Sequence, residues 1–135
     1  MTLHPDPDPG PLEDNDHPIP RLDTLDTLVT FTKGASVGIV IATPLKDDER
    51  SRARLLRKFE VSLSYFRSAD YFARCGAPQP AHSRLYVNIH SGSDAEMIEL
   101  VERYCAEAAA SGITPFITFE ASTGGVPANN RWRGP

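Results

Sequence analysis

The stretch Arg84-Leu-Tyr-Val-Asn-Ile-His90 alternates apolar and polar side chains without a break. Such alternation is typical of a β-strand that has one buried and one exposed face. The pattern predicts a buried set, Leu85, Val87 and Ile89, and an outward set, Tyr86, Asn88 and His90. The neighbouring elements can be assigned outward from this strand.

A helix and a last strand are predicted downstream. Ser93-Asp-Ala-Glu96 matches a capping box, in which the Ser93 hydroxyl and the Glu96 carboxylate each accept a free backbone N–H. Gly112 is expected to end this helix, and residues 113–120 to form a strand parallel to 84–90, reached by a right-handed crossover. The predicted buried face of the helix is Met97, Val101, Tyr104, Cys105 and Ala108.

Upstream, a hairpin and a longer helix are predicted. Residues 28–33 and 36–42 are rich in β-branched side chains, and Gly34-Ala35 is expected to form the tight turn, with Val29 and Phe31 facing inward. Asp47 is expected to cap a helix that runs to about Arg74, with a kink between residues 62 and 68. Its predicted core stripe is Leu56, Phe59, Leu63 and Phe66.

These elements give the order ββαβαβ. The sequence therefore predicts a single α+β domain over residues 28–120, a two-layer sandwich in which two helices cover one face of a four-stranded mixed sheet. Residues 1–27 are predicted to be a disordered tail, because they combine six prolines with seven acids and only one base, Arg21. Residues 121–135 are predicted to form a flexible C-terminal tail.

Charge and composition narrow the function classes. The net charge of −4 comes mainly from the N-terminal tail, whereas residues 28–120 are electrically balanced, which argues against nucleic-acid binding through a basic surface. Cys75 and Cys105 have no metal-ligand spacing and are expected to be free thiols, as suits a cytoplasmic protein. No signal peptide, membrane span, metal site or cofactor motif is predicted.

The same succession of elements resembles a family of small uncharacterised bacterial domains with ββαβαβ order. The resemblance is carried by the hairpin, by Leu55-Leu-Arg-Lys-Phe-Glu-Val-Ser-Leu-Ser-Tyr-Phe66, by Leu85-Tyr-Val-Asn-Ile-His90 and by Ile113-Thr-Pro-Phe-Ile-Thr-Phe119. It covers residues 28–120 and implies the fold and a bacterial origin. Family members often carry an Asp-His pair and a Trp where this chain has Thr43-Pro-Leu-Lys-Asp47, so no role of those residues is transferred.

Two groups of residues could bind an anion. His90, Ser91 and Ser93 lie where a strand is predicted to meet a helix N-terminus, which favours phosphate or carboxylate, although an ordinary capped turn has the same pattern. Arg50, Arg54, Arg57 and Lys58 fall on one flank of the first helix. This flank is expected either to bind anionic groups, or to be a solvated face that pairs with nearby acids, including those of the N-terminal tail.

Catalysis is not favoured by the sequence. Of the four histidines, His4 and His17 lie in the N-terminal tail and His82 lies in a Pro-rich loop. His90 with Ser91 or Ser93 is therefore the one plausible dyad, and Ser93 is already assigned as a cap. The acids Asp47, Asp48 and Glu49 lie at a predicted helix start, where acids are common for electrostatic reasons. No catalytic residue is therefore assigned.

The outer face of the sheet is the main candidate surface. Val40, Tyr86 and Phe116 are predicted to project there beside Thr30, Asn88, His90 and Thr118, and Trp132 in the C-terminal tail could add an anchor. The leading hypothesis is a non-catalytic protein-binding module, such as an immunity or accessory protein. The alternatives are an anion-binding or enzymatic domain centred on His90, and a homodimer joined through the sheet face or a strand edge.

Overall fold

The computed structural model describes residues 9–121. The elements in this range are β1 Thr27–Phe31, β2 Gly34–Ile41, α1 Glu49–Ser64, α2 Ala69–Cys75, β3 Ser83–His90, α3 Ala95–Ala110 and β4 Thr114–Glu120. The predicted α+β fold is confirmed, with three helices instead of two. A 3-10 turn, Tyr65–Arg67, separates α1 from α2, inside the region where a kink was expected. The Ser68 hydroxyl then accepts the N–H of Tyr71 and starts the new helix.

The four strands form one mixed sheet in the order β1-β2-β3-β4. β1 and β2 are antiparallel, whereas β2, β3 and β4 run parallel, as predicted for the last two strands. The inward side chains of the two central strands are at most 1% exposed and pack with the helices: Val37, Ile39, Ile41, Leu85, Val87 and Ile89. The two central strands are therefore buried on the helix side.

The hairpin turn lies earlier than predicted. β2 already begins at Gly34, because the N–H of Ala35 donates to the His82 carbonyl at 3.0 Å, so Thr32 and Lys33 form the turn. The register then pairs Val29 with Ser36 and Phe31 with Gly34. The inward orientation expected for Val29 and Phe31 is wrong: the two side chains are 55% and 41% exposed and lie on the face away from the helices.

The cap of α1 and one residue of its buried stripe also differ from the prediction by one position. Asp48, not Asp47, is the N-cap, and its carboxylate accepts the N–H of Ser51 at 2.7 Å, which lowers the pKa of Asp48. Leu55 is fully buried, whereas Leu56, assigned to the core from the sequence, is 43% exposed. Phe59, by contrast, lies in the core as predicted.

The capping box predicted for α3 does not form. Asp94 is the N-cap, and the Ser93 hydroxyl instead accepts the N–H of Leu45 at 2.9 Å. The Asp94 carboxylate likewise accepts the N–H of Asp47 at 2.7 Å. Leu45 is fully buried after β2, so its backbone donor needs a partner inside the protein, and Ser93 supplies it. At the other end, Gly112 follows α3 with a φ of 89°, as expected.

The largest correction concerns the N-terminal region. Residues 9–26, called the strap below, were predicted to be disordered with the rest of residues 1–27, but they pack on α1. Ile19 and Leu22 of the strap are 1% and 0% exposed and belong to the main core. Residues 1–8 lie outside the described range, as do all residues of the predicted C-terminal tail after Ala121.

Two buried cations of α1 hold the strap by its backbone. Arg54 donates to the carbonyls of Pro9, Pro11 and Ile19 at 2.7–2.9 Å. Lys58 donates to the carbonyls of Arg21 and Thr24, each at 2.8 Å. Because these five hydrogen bonds satisfy strap carbonyls, a segment with few apolar side chains can still be ordered.

Candidate functional site

The face of the sheet opposite the helices is the principal candidate site. Strand register assigns to this open sheet face the residues Thr27, Val29, Phe31, Ser36, Gly38, Val40, Arg84, Tyr86, Asn88, His90, Thr114, Phe116, Thr118 and Glu120. Three of its apolar side chains are widely exposed: Val29, Phe31 and Val40, the last at 40%. Exposed apolar side chains grouped on one surface are typical of an interaction site.

An aromatic pair lies on the β3–β4 side of this face. Tyr86 and Phe116 occupy paired positions on β3 and β4, and their rings stack with centroids 4.7 Å apart and planes 18° from parallel. Such a pair gains about 0.5–1.5 kcal/mol beyond its buried area. The two half-buried rings therefore present a rigid surface that a partner can contact at little cost in conformational entropy.

A cation borders the aromatic pair on the side of β1. The guanidinium carbon of Arg84 lies 5.8 Å from the ring centroid of Phe31 on the same face. This contact holds the Arg84 side chain over the sheet while leaving it half-buried. The face consequently combines apolar area, one positioned cation and the hydrogen-bonding tips of Tyr86 and Asn88.

Most of the binding residues predicted from the sequence come together here. Val40, Tyr86, Asn88, His90 and Phe116 share the open sheet face, since alternate residues of a strand point to the same side. Thr30 does not: it pairs with the buried Ala35 and faces the helix side. Trp132 lies outside the described residues.

The predicted anion site does not assemble around the turn that follows β3. Nδ1 of His90 accepts the N–H of Gly92 at 2.8 Å, which fixes the ring beside the turn. Ser93 is only 7% exposed and its hydroxyl is hydrogen-bonded to Leu45, so it is not available to a ligand. Ser91 alone of the three is exposed, and its N–H donates to the Glu120 carbonyl.

The arginines assigned to the anion site lie elsewhere. Arg54 is fully buried beneath the strap. Arg50 approaches Asp14 of the strap at 3.6 Å, and Arg57 approaches Glu60 at 3.7 Å on the surface of α1. Arg50 and Lys58 of the basic flank therefore pair with acids of the N-terminal region, since Nζ of Lys58 lies 2.7 Å from Asp26.

A second cluster of potentially reactive side chains is structural. The Tyr71 hydroxyl lies 2.8 Å from the Ser83 hydroxyl and 3.3 Å from Nδ1 of His82. Tyr71 and Ser83 are both 0% exposed, so a substrate cannot reach either oxygen. Burial also raises the pKa of Tyr71, which keeps the phenol protonated. The cluster joins α2 to the start of β3.

The sequence placed Arg54 and Lys58 on a flank that could pair with N-terminal acids, but it did not predict that both are buried and donate to backbone carbonyls of the strap, a contact called the strap clamp here. Arg54 and Lys58 are spaced i, i+4 and lie beside the core residues Leu55 and Phe59, so one helix face carries both kinds of residue. The signal in the sequence is the position of these two cations within an otherwise apolar stripe. It indicates that this helix face packs against backbone carbonyls.

The described residues contain neither a metal-binding cluster nor a membrane-spanning helix. Between residues 9 and 121, no group of three or more His, Cys, Asp or Glu side chains is arranged to hold a metal ion. No helix in that range is long and apolar enough to cross a membrane.

Comparison with known proteins finds no match for this chain among protein-family models, curated proteins or solved structures. The resemblance to small bacterial ββαβαβ domains accordingly stays a prediction. The function has to be inferred from the geometry of the molecule.

Proposed function

We propose that this protein is a non-catalytic protein-binding module, of the immunity or accessory type, that binds a partner protein through the open sheet face. The observation that carries the proposal is the exposure of Val29, Phe31 and Val40 on the same sheet face as the stacked pair of Tyr86 and Phe116. Aromatic side chains and arginine are enriched at protein interfaces, and both occur here on a rigid sheet.

The composition of the face favours a different protein over a second copy of this chain. Obligate homodimer interfaces are more apolar than transient ones and resemble a domain core cut in half. Here Arg84, Asn88 and Thr118 occupy the positions next to the aromatic pair on the same face of β3 and β4, so polar side chains flank the two rings. We expect the partner to present an apolar patch with polar groups at its rim.

The enzymatic and anion-binding alternative has less support. It centres on His90, Ser91 and the N-terminus of α3, where the Ser93 hydroxyl accepts the N–H of Leu45 and Nδ1 of His90 accepts the N–H of Gly92. Both groups are thereby engaged in the turn that joins β3 to α3.

The test compares two variants that lose aromatic rings, one on the open sheet face and one on the helix layer. The immobilised wild-type protein is used to capture a partner from native lysate, and the affinity of that partner is then measured for Tyr86→Ser/Phe116→Ser and for Phe72→Ser. Phe72 lies on α2 and is 63% exposed, so it controls for the loss of an exposed aromatic ring. We expect the double variant to weaken binding at least about 30-fold, as for anchor residues, and the control to bind normally.

Two outcomes would contradict the proposal. One is normal partner binding by the double variant, with its circular dichroism and melting temperature near wild type. The other is a wild-type dimer in light scattering that the double variant abolishes, which would assign the face to a second copy of the chain.

A further inference from the structure

His17 of the strap uses both ring nitrogens to fasten the strap to α1. Its Nδ1 accepts the N–H of Ile19 at 2.9 Å, and its Nε2 lies 3.0 Å from the Ser51 hydroxyl. Because a backbone N–H can only donate, Nδ1 must be unprotonated, and Nε2 carries the proton of the neutral ring. The geometry therefore requires a neutral His17.

The charged groups around this ring come from both sides of the contact. α1 contributes Arg50 and Arg54, its N-cap is Asp48, and the strap contributes Asp14. Burial and then the nearby Arg54 lower the pKa of His17 below its ordinary value of 6.5, against the opposing effect of the two carboxylates. The ring is consequently neutral at neutral pH while the strap is docked.

We propose that the strap is a pH-sensitive latch, in which protonation of His17 in mildly acidic solution loosens residues 9–26 from α1. A proton on Nδ1 faces the N–H of Ile19, so this hydrogen bond is lost and two donors oppose each other. Ile19 is also one of the two apolar anchors of the strap, so its displacement weakens the docking of the whole segment. The proposal is independent of the open sheet face.

The direction of the pH effect follows from linkage. A histidine whose pKa is lower in the docked than in the released strap contributes its full stabilisation above 6.5 and loses it progressively as the pH falls. Opening that is linked to one proton becomes up to about tenfold more frequent between pH 7.5 and 5.5. The released state exposes Arg54 and Lys58 together with the pockets of Ile19 and Leu22, an apolar groove with two cations.

The test is hydrogen exchange of the intact chain at pH 7.5 and pH 5.5, corrected for the intrinsic effect of pH on amide exchange. Peptides that cover the strap should lose protection at pH 5.5, up to about tenfold, while peptides from β3 keep theirs. His17→Gln should stay protected at both pH values, because the glutamine amide can accept from Ile19 and donate to Ser51 without titrating. His4→Gln, which lies outside the described residues, is the matched histidine control.

Equal corrected protection of the strap at both pH values would overturn the latch, and so would a pH dependence that persists in His17→Gln. If that variant fails to fold, the ring of His17 is titrated in the wild-type protein by nuclear magnetic resonance. A midpoint below 6.5 that coincides with loss of strap protection supports the latch, whereas a midpoint at or above 6.5 contradicts it.

Discussion

Nζ of Lys58 lies 2.7 Å from one carboxylate oxygen of Asp26, and the other oxygen of the same carboxylate accepts the N–H of Val40 at 2.8 Å. Lys58 belongs to α1, Asp26 to the strap and Val40 to the open sheet face. The Asp26 carboxylate therefore links the strap and α1 to β2, which carries part of the open sheet face. A partner protein would meet a sheet whose strand β2 is held in place by the strap.

Replacement of Lys58 by methionine should destabilise the protein by about 3 kcal/mol, since it leaves Asp26 and two carbonyls without their buried donor. The side chain of Lys58 is 1% exposed, so water cannot substitute for it. Urea unfolding measures the loss. Arg57→Met is the control, because Arg57 pairs with Glu60 on the surface and should cost less than about 1 kcal/mol. Similar costs for the two variants would show that the clamp has no special role.

The strap should contribute to global stability through its apolar anchors. Leu22→Ala should cost about 2–5 kcal/mol, because Leu22 is 0% exposed and its loss leaves a cavity. Leu12→Ala, on the same strap but 53% exposed, should cost less than about 1 kcal/mol. The sequence alone predicts that both changes are nearly neutral, and thermal melts of the two variants decide between these expectations.

Ser93→Ala should cost about 1–3 kcal/mol, because the buried N–H of Leu45 loses its acceptor. The effect should appear as faster hydrogen exchange at the Leu45 amide and not as fraying of α3, whose N-cap is Asp94. Ser91→Ala, two residues earlier and exposed, provides the control. Fraying of α3 with a protected Leu45 amide would restore the capping-box interpretation.

The two cysteines should differ in reactivity. Burial raises the pKa of Cys105 to about 12, so almost no thiolate exists at pH 8, whereas Cys75 is only half-buried. Treatment of the native protein with a maleimide at pH 8 should modify Cys75 first, with Cys105 labelled only after unfolding. Mass spectrometry of the labelled peptides measures the order, and equal rates would mean that the helix carrying Cys105 opens readily.

Much of the sheet could be predicted because its pattern is local. The alternation in β3 places Tyr86, Asn88 and His90 on one face without knowledge of any neighbour, and the open sheet face follows from it. The orientation of Val29 and Phe31 was predicted wrongly because the sheet face of a hairpin residue depends on where the turn lies. The stretch Thr32-Lys-Gly-Ala35 permits more than one position of the turn.

The strap could not be predicted because its stabilisation leaves no periodic pattern. Arg54 and Lys58 donate to backbone carbonyls, and a carbonyl has the same chemistry whatever its side chain. An acidic, proline-rich segment with two apolar anchors therefore has the composition of a disordered tail. A contact between residues distant in sequence likewise explains Ser93, whose hydroxyl accepts the N–H of Leu45 and not an N–H of its own helix.

The location of the partner is tested most directly by site-specific photocrosslinking. Benzoylphenylalanine is introduced in place of Val40 on the open sheet face or in place of Phe72 on α2, both of which are exposed. Illumination with the captured partner should give a covalent adduct from position 40 and none from position 72. An adduct from position 72, with none from position 40, would contradict binding through the open sheet face.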